Sequence, residues 1–77
     1  MSTLKVQFGQ QVKELRRVQG ITQESLANEA GLTTESISNI ERGIFGPRFE
    51  NIERLANALG VEVKDLFEFD RLHETTK

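Results

Sequence analysis

The side chains best placed to do chemistry in this chain lie between Thr34 and Arg42. Thr34, Glu35, Ser38, Asn39 and Arg42 recur at spacings of one and three residues, which gathers them on one face of a helix. They are short or polar side chains with donors and acceptors, and none is a large apolar group. A helix face of this kind can enter a major groove and hydrogen-bond to base edges. Bond-making chemistry is poorly provided for. The chain has no Cys and no Tyr, and its single His is His73, near the C-terminus. Without Cys there is neither a disulfide framework nor a thiolate metal site, and one His cannot hold a metal by itself. There is no Gly-rich phosphate loop, and the carboxylates share no apparent pocket. The residues therefore point to recognition rather than catalysis, and no cofactor, metal or small-molecule ligand is expected.

A recognition face needs elements to hold it, and the glycines mark them. Gly20, Gly31, Gly43 and Gly60 each follow a segment of helical periodicity and are expected to be stops. This divides the chain into five short helices. Helix 1 is expected from about Val6 to Gln19, with Phe8, Val12 and Leu15 on its inner face. Helix 2 starts after Thr22, whose hydroxyl can cap it, and buries Leu26, Ala27 and Ala30. Helix 3 starts after Thr33, with Ile37 and Ile40 inward and Glu35 in the first turn, where the helix dipole favours an acid. Helix 4 starts near Phe49, because Pro47 disfavours helix just before it, and buries Ile52, Leu55, Ala56 and Leu59. A last short helix, about Val63 to Glu68, buries Leu66. The polar tail from Asp70 is expected to fray. Phe45 and Phe49 are expected in the core. Phe67 and Phe69 flank Glu68 and cannot both point inward from one short helix; one is left either for a dimer partner or at the capped edge of the core.

Length and charge bound the reading. The chain has 77 residues, enough for a single domain over 1–77, with little stability to spare. Dimerisation is one common way for a small domain to bury more area. No apolar run approaches a membrane span and no signal peptide is visible, so a cytoplasmic protein away from membranes is expected. The net charge of −2 argues mildly against nucleic acid. Its distribution softens the objection. Lys5, Lys13, Arg16 and Arg17 face only Glu14 over the first twenty residues, and Arg42 and Arg48 bracket a loop without acids. The acids Glu62, Asp65, Glu68, Asp70 and Glu74 gather late. A molecule polarised in this way can present a positive face to phosphate, although each cluster also reads as a solvated helix surface.

The stretch from Gln23 to Glu41 then reads as two short helices joined by a tight turn through Gly31. Ala27 is small where the helices approach, and Leu32 plugs the turn. In the segments Phe8-Gly9, Leu15-Arg16, Gly20 to Ala27, Ser36 to Gly43, Pro47-Arg48-Phe49 and Leu55 to Val61, the chain resembles the lambdoid-repressor and Cro-type helix-turn-helix family, also called the XRE family. The resemblance covers about Phe8 to Phe67. It implies an all-α, five-helix lambda-repressor-like DNA-binding domain with its helix-turn-helix at about 22–42.

The resemblance also implies roles. Gln23 matches a glutamine that contacts a backbone phosphate and braces the first residue of the recognition helix. Thr34, Glu35, Ser38 and Asn39 match base-facing positions; Asn39 suits adenine and Glu35 a cytosine amino group. Arg16 and Glu41 match a largely buried salt bridge. Arg48 matches an arginine that approaches the minor groove near the operator centre, and it stands where the family often has a capping serine. Gln23, Arg42 and Arg48 are the candidate backbone or minor-groove contacts. Plainer roles compete: Gln23, Ser38 and Asn39 as solvated positions, Glu35 as a dipole partner. The function implied is a sequence-specific regulator of transcription, a repressor acting as a homodimer on an inverted repeat in double-stranded DNA with helix 3 in the major groove. An antitoxin, a restriction–modification controller or a protein-interaction module could use the same fold.

Overall fold

The computed structural model describes residues 3–69. Four α-helices follow one another: α1 (Leu4–Val18), α2 (Gln23–Ala30), α3 (Thr34–Glu41) and α4 (Phe49–Leu59). A 3₁₀ segment, Val63–Phe67, closes the series. Among the described residues there is no strand, and no helix is long and apolar enough to cross a membrane. The polar tail expected from Asp70 lies outside the described residues.

Local sequence sets the helix starts. Thr22 Oγ1 accepts from the Ser25 N–H, and Thr33 Oγ1 from the Ser36 N–H, both at 3.0 Å. Each threonine satisfies one of the free donors of the first turn. Thr3 does the same for α1, accepting from the Val6 N–H at 3.4 Å, so this helix begins at Leu4 rather than near Val6. α4 begins at Phe49 without a side-chain cap, because Arg48 occupies the cap position.

The helix ends share one device. A glycine with positive φ follows, and then an apolar residue whose N–H bonds to a carbonyl five residues back. This double closure satisfies carbonyls that the helix would otherwise leave bare. Gly43 illustrates the constraint: its φ is 74°, and an added Cβ would press on Val6 of α1.

α1 packs on α3, α2 on both α3 and α4, and the 3₁₀ segment on α1 and α4. Phe8, Val12, Leu15, Leu26, Ile37, Ile40, Leu55, Leu59 and Leu66 form the centre of one core. The closest approach falls at Gly9. A methyl group there would overlap the Ile40 carbonyl oxygen. Gln11 is fully buried among these groups and donates to the Asp65 carbonyl at 2.9 Å, tying the 3₁₀ segment to α1.

Two expectations are corrected here. The fifth helix is a 3₁₀ turn of five residues, so the fold is four helices and a turn. Asp65 Oδ2 accepts from the Glu62 N–H at its start, and the Glu68 N–H closes back on the Asp65 carbonyl three residues earlier. That i→i+3 pattern suits a short piece better than an α-helix. Phe45 and Phe49 are not in the core: both are exposed, Phe49 by 88%. Phe8 and Phe67, with ring centroids 5.1 Å apart, fill the space between α1 and the C-terminal turn instead.

Candidate nucleic-acid interface

α2, the turn through Gly31 and α3 form the candidate interface. Gly31 takes the left-handed conformation (φ 72°, ψ 31°), and the Leu32 N–H bonds to the Ala27 carbonyl at 2.9 Å. These contacts fix the angle between the two helices. Ile37 and Ile40 bury the inner face of α3. Thr34, Glu35 and Arg42 are left exposed, and Ser38 and Asn39 half-buried. The structure thus gathers all five outward candidates on one side of one helix. Glu35 stands in the first turn.

Behind this face lies an ion pair. Arg16 Nε donates to Glu41 Oε2 at 2.7 Å and Arg16 Nη2 to Glu41 Oε1 at 3.1 Å, a two-pronged contact. Arg16 Nη1 also donates to the Ile21 carbonyl at 2.8 Å. Glu41 is buried, and its remaining demand is met by Gln23, whose Nε2 donates to Glu41 Oε1 at 3.0 Å. One carboxylate therefore joins α1, the head of α2 and the end of α3.

Gln23 departs from one part of the role implied by the resemblance, the bracing of the first residue of the recognition helix. Its amide is engaged at the far end of α3, by Glu41, and not at the first residue, Thr34. A buried carboxylate is a stronger acceptor than a threonine hydroxyl, which explains the preference. Asn39 is engaged as well: its Oδ1 accepts from Arg42 Nη2 at 3.1 Å. In this orientation Asn39 keeps its amide donors and the second lone pair of Oδ1, so a two-point contact with adenine shares Oδ1 with Arg42.

Arg48 is exposed between Pro47 and Phe49. Phe67 leans on Phe8 and faces solvent with its other side, whereas Phe69 is half-buried against the core. Three residues act here in ways the sequence did not assign to them. Gly9 lets α1 approach the backbone of α3. Lys5 Nζ donates to the Ile44 carbonyl at 3.3 Å and pins the loop after α3. Phe49 stands out from the start of α4. The first had a signal in a glycine at mid-helix; the other two had none. Among the described residues no group of acidic or imidazole side chains could hold a metal ion.

The order of these parts is that of a known family. The helix-turn-helix family profile matches residues 12–66. This chain belongs to the helix-turn-helix family, among its Cro/C1-type transcriptional regulators. It is 41% identical over 69 residues to control protein C.BamHI of Bacillus amyloliquefaciens, a match covering 88% of this chain and 85% of that one. It is 36% identical over 55 residues to the immunity repressor protein of Bacillus phage phi105, covering 71% of this chain but only 38% of the repressor. Among solved structures, it superposes on the restriction–modification controller C.AhdI from Aeromonas hydrophila with a TM-score of 0.80 and 41% identity, covering 82% of this chain and 96% of the controller. The helix-turn-helix relatives are regulators, not enzymes.

Proposed function

We propose that this helix-turn-helix chain binds a specific inverted-repeat site in double-stranded DNA as a homodimer and regulates transcription there in the manner of a restriction–modification controller. The observation that carries the reading is the outer face of α3. Thr34, Glu35, Ser38, Asn39 and Arg42 are the polar groups it offers, on a helix braced at its start by Thr33 and at its end by Glu41. α3 lies in the major groove of each half-site, with half-sites about one helical turn (~34 Å) apart. Thr34, Glu35, Ser38 and Asn39 supply base preference, and Arg42 and Arg48 add backbone and minor-groove contacts. Gln23, held by Glu41, meets a phosphate with its remaining amide hydrogen. The near full-length match to C.BamHI and C.AhdI favours a controller over an antitoxin. Output then follows the concentration of the protein, by occlusion or recruitment at a promoter in the cytoplasm.

The dimer surface that fits best is the apolar groove of about 210 Å³ beside Phe49, with Leu4, Pro47, Ile52 and Phe67 in its walls. A protruding ring next to a hole of similar size is self-complementary under a two-fold axis. The rim agrees: Lys5 lies on one side, and Glu50 and Glu53 border the adjoining groove. Phe67 belongs to this surface, and Phe69 supports it from behind.

Selection from randomised duplexes at low salt, followed by a footprint, tests the function. Enrichment of a two-fold symmetric motif is expected. Recovery of no motif sinks the DNA reading and leaves the protein-interaction alternative.

A further inference from the structure

Ile44 and Phe45 form an apolar tip that the fold does not use. The four α-helices end alike, and the residue after each terminal glycine is apolar: Ile21, Leu32, Ile44 and Val61. In each the N–H returns to a carbonyl five residues back: Arg16, Ala27, Asn39 and Ala56. Such a residue normally closes the helix end by packing its side chain inward. Ile21, Leu32 and Val61 do so and lie against the core. Ile44 does not: it is 51% exposed, and Phe45 beside it is 42% exposed.

The tip is also held in place. The Ile44 N–H donates to the Asn39 carbonyl at 3.0 Å, and its own carbonyl accepts from Lys5 Nζ at 3.3 Å. The Ile44 backbone therefore keeps a fixed relation to the outer face of α3, and Phe45 follows it directly in the chain. From Arg42 to Phe49 the chain carries two arginines and no acid, and Lys5 adds a third cation. An apolar tip on a segment bounded by Arg42 and Arg48, with Lys5 on the Ile44 carbonyl, complements a phosphate backbone beside a groove floor of stacked bases. The groove beside Phe49 adjoins the tip through Lys5 and Gly46, but neither Ile44 nor Phe45 lines it.

We infer that this tip is a wedge that deforms the bound DNA. With α3 in the major groove, Arg42 and Arg48 straddle the phosphate strand that separates the two grooves. Phe45 then enters the edge of the neighbouring minor groove between two base pairs, with Ile44 against the sugar beside it. Apolar side chains placed in this way unstack a step and kink the duplex by about 20–90°. Pyrimidine–purine steps yield most easily, so the wedge adds preference at bases that α3 does not touch. The inference rests on the DNA-binding reading above.

The test uses the full chain and the duplex recovered by selection, labelled at both ends for energy transfer. The wild type is expected to bend it. Phe45→Ser should lose at least about 20° of that bend while keeping the footprint, and Phe45→Leu, which keeps an apolar wedge, should retain most of it. Thermal unfolding of Phe45→Ser should match the wild type, since the side chain lies outside the core. An unbent wild-type complex, or equal bending by the wild type and Phe45→Ser, overturns the wedge and leaves the DNA reading intact. A Phe45→Ser chain that loses its dimer in sedimentation without DNA assigns the tip to a protein interface and overturns the wedge too. Selection that yields no motif overturns the DNA reading itself.

Discussion

Removing the Glu41 side chain strands the Arg16 guanidinium in a partly buried site and frees the Gln23 amide. Breaking such a pair from one side costs about 3–5 kcal/mol, because the remaining charge loses its partner but not its burial. Glu41→Ala should therefore lower Tm by about 10 °C or more. Glu50 is exposed in the first turn of α4, where an acid contributes only about 0.3–1 kcal/mol. Glu50→Ala is the comparison, and equal shifts in a thermal melt would contradict the buried pair. Asn39 calls for a different measurement. Asn39→Ala should leave the melt nearly unchanged and flatten base preference at one position of each half-site, by about 1–3 kcal/mol of discrimination. Repeating the duplex selection on the variant checks this, and an unaltered motif would remove Asn39 from the reading set. The residue types on this face were legible in the sequence from spacing alone. Their partners were not. That Gln23 turns to Glu41, and that Asn39 holds Arg42, depends on which acceptor lies within reach once three helices are packed.

Helix boundaries show where sequence signals were strong. Helices begin after Thr22 and Thr33 as expected, each with its threonine as the cap, and four glycines stop the segments they follow. These signals are local, each set by one side chain and a few backbone groups. The C-terminal turn was harder to read. Its apolar pattern suits a short helix, but five residues form too few i→i+4 bonds to offset the cost of starting one. Gly9 was quoted only as part of a resemblance, and its physical reason appears in the contact between α1 and α3. Gly9→Ala would raise the intrinsic helix propensity of α1 and yet should destabilise the domain by about 1–3 kcal/mol, because the methyl meets backbone that cannot turn aside. A thermal melt with a higher midpoint for Gly9→Ala would mean that the two helices can separate without penalty.

For the molecule as a whole, patterning assigned Phe45 and Phe49 to the interior by residue type, which is the usual place for such rings. Phe8 and the aliphatic core, with Phe67 leaning on Phe8, fill that space first, and the two rings are left outside. At Phe49 the exposed ring sits beside its own groove. Phe49→Ser should leave monomer stability within about 0.5 kcal/mol and weaken self-association, as read by sedimentation over a concentration series. A dimer of unchanged strength would place the interface elsewhere. The net charge of −2 was the main sequence signal against nucleic acid, and it is a sum over the chain that says nothing about any one face. Affinity for the selected duplex should fall steeply with salt, by about 0.9 logarithmic units per tenfold increase for each phosphate neutralised. A salt-independent affinity would point to contacts without phosphate.

Glu41 serves the interior and the recognition surface with the same two oxygen atoms, and this divides the positions open to change under selection. Thr34, Glu35 and Ser38 bind no scaffold group through their side chains among the described residues, so each can drift toward a new operator without disturbing the frame. Arg16, Gln23 and Glu41 have no such freedom: a substitution at one alters the demand on the other two. Retargeting of such a regulator is expected to proceed through the outward residues of α3 and the loop behind it, and the triad at its back changes only in concert.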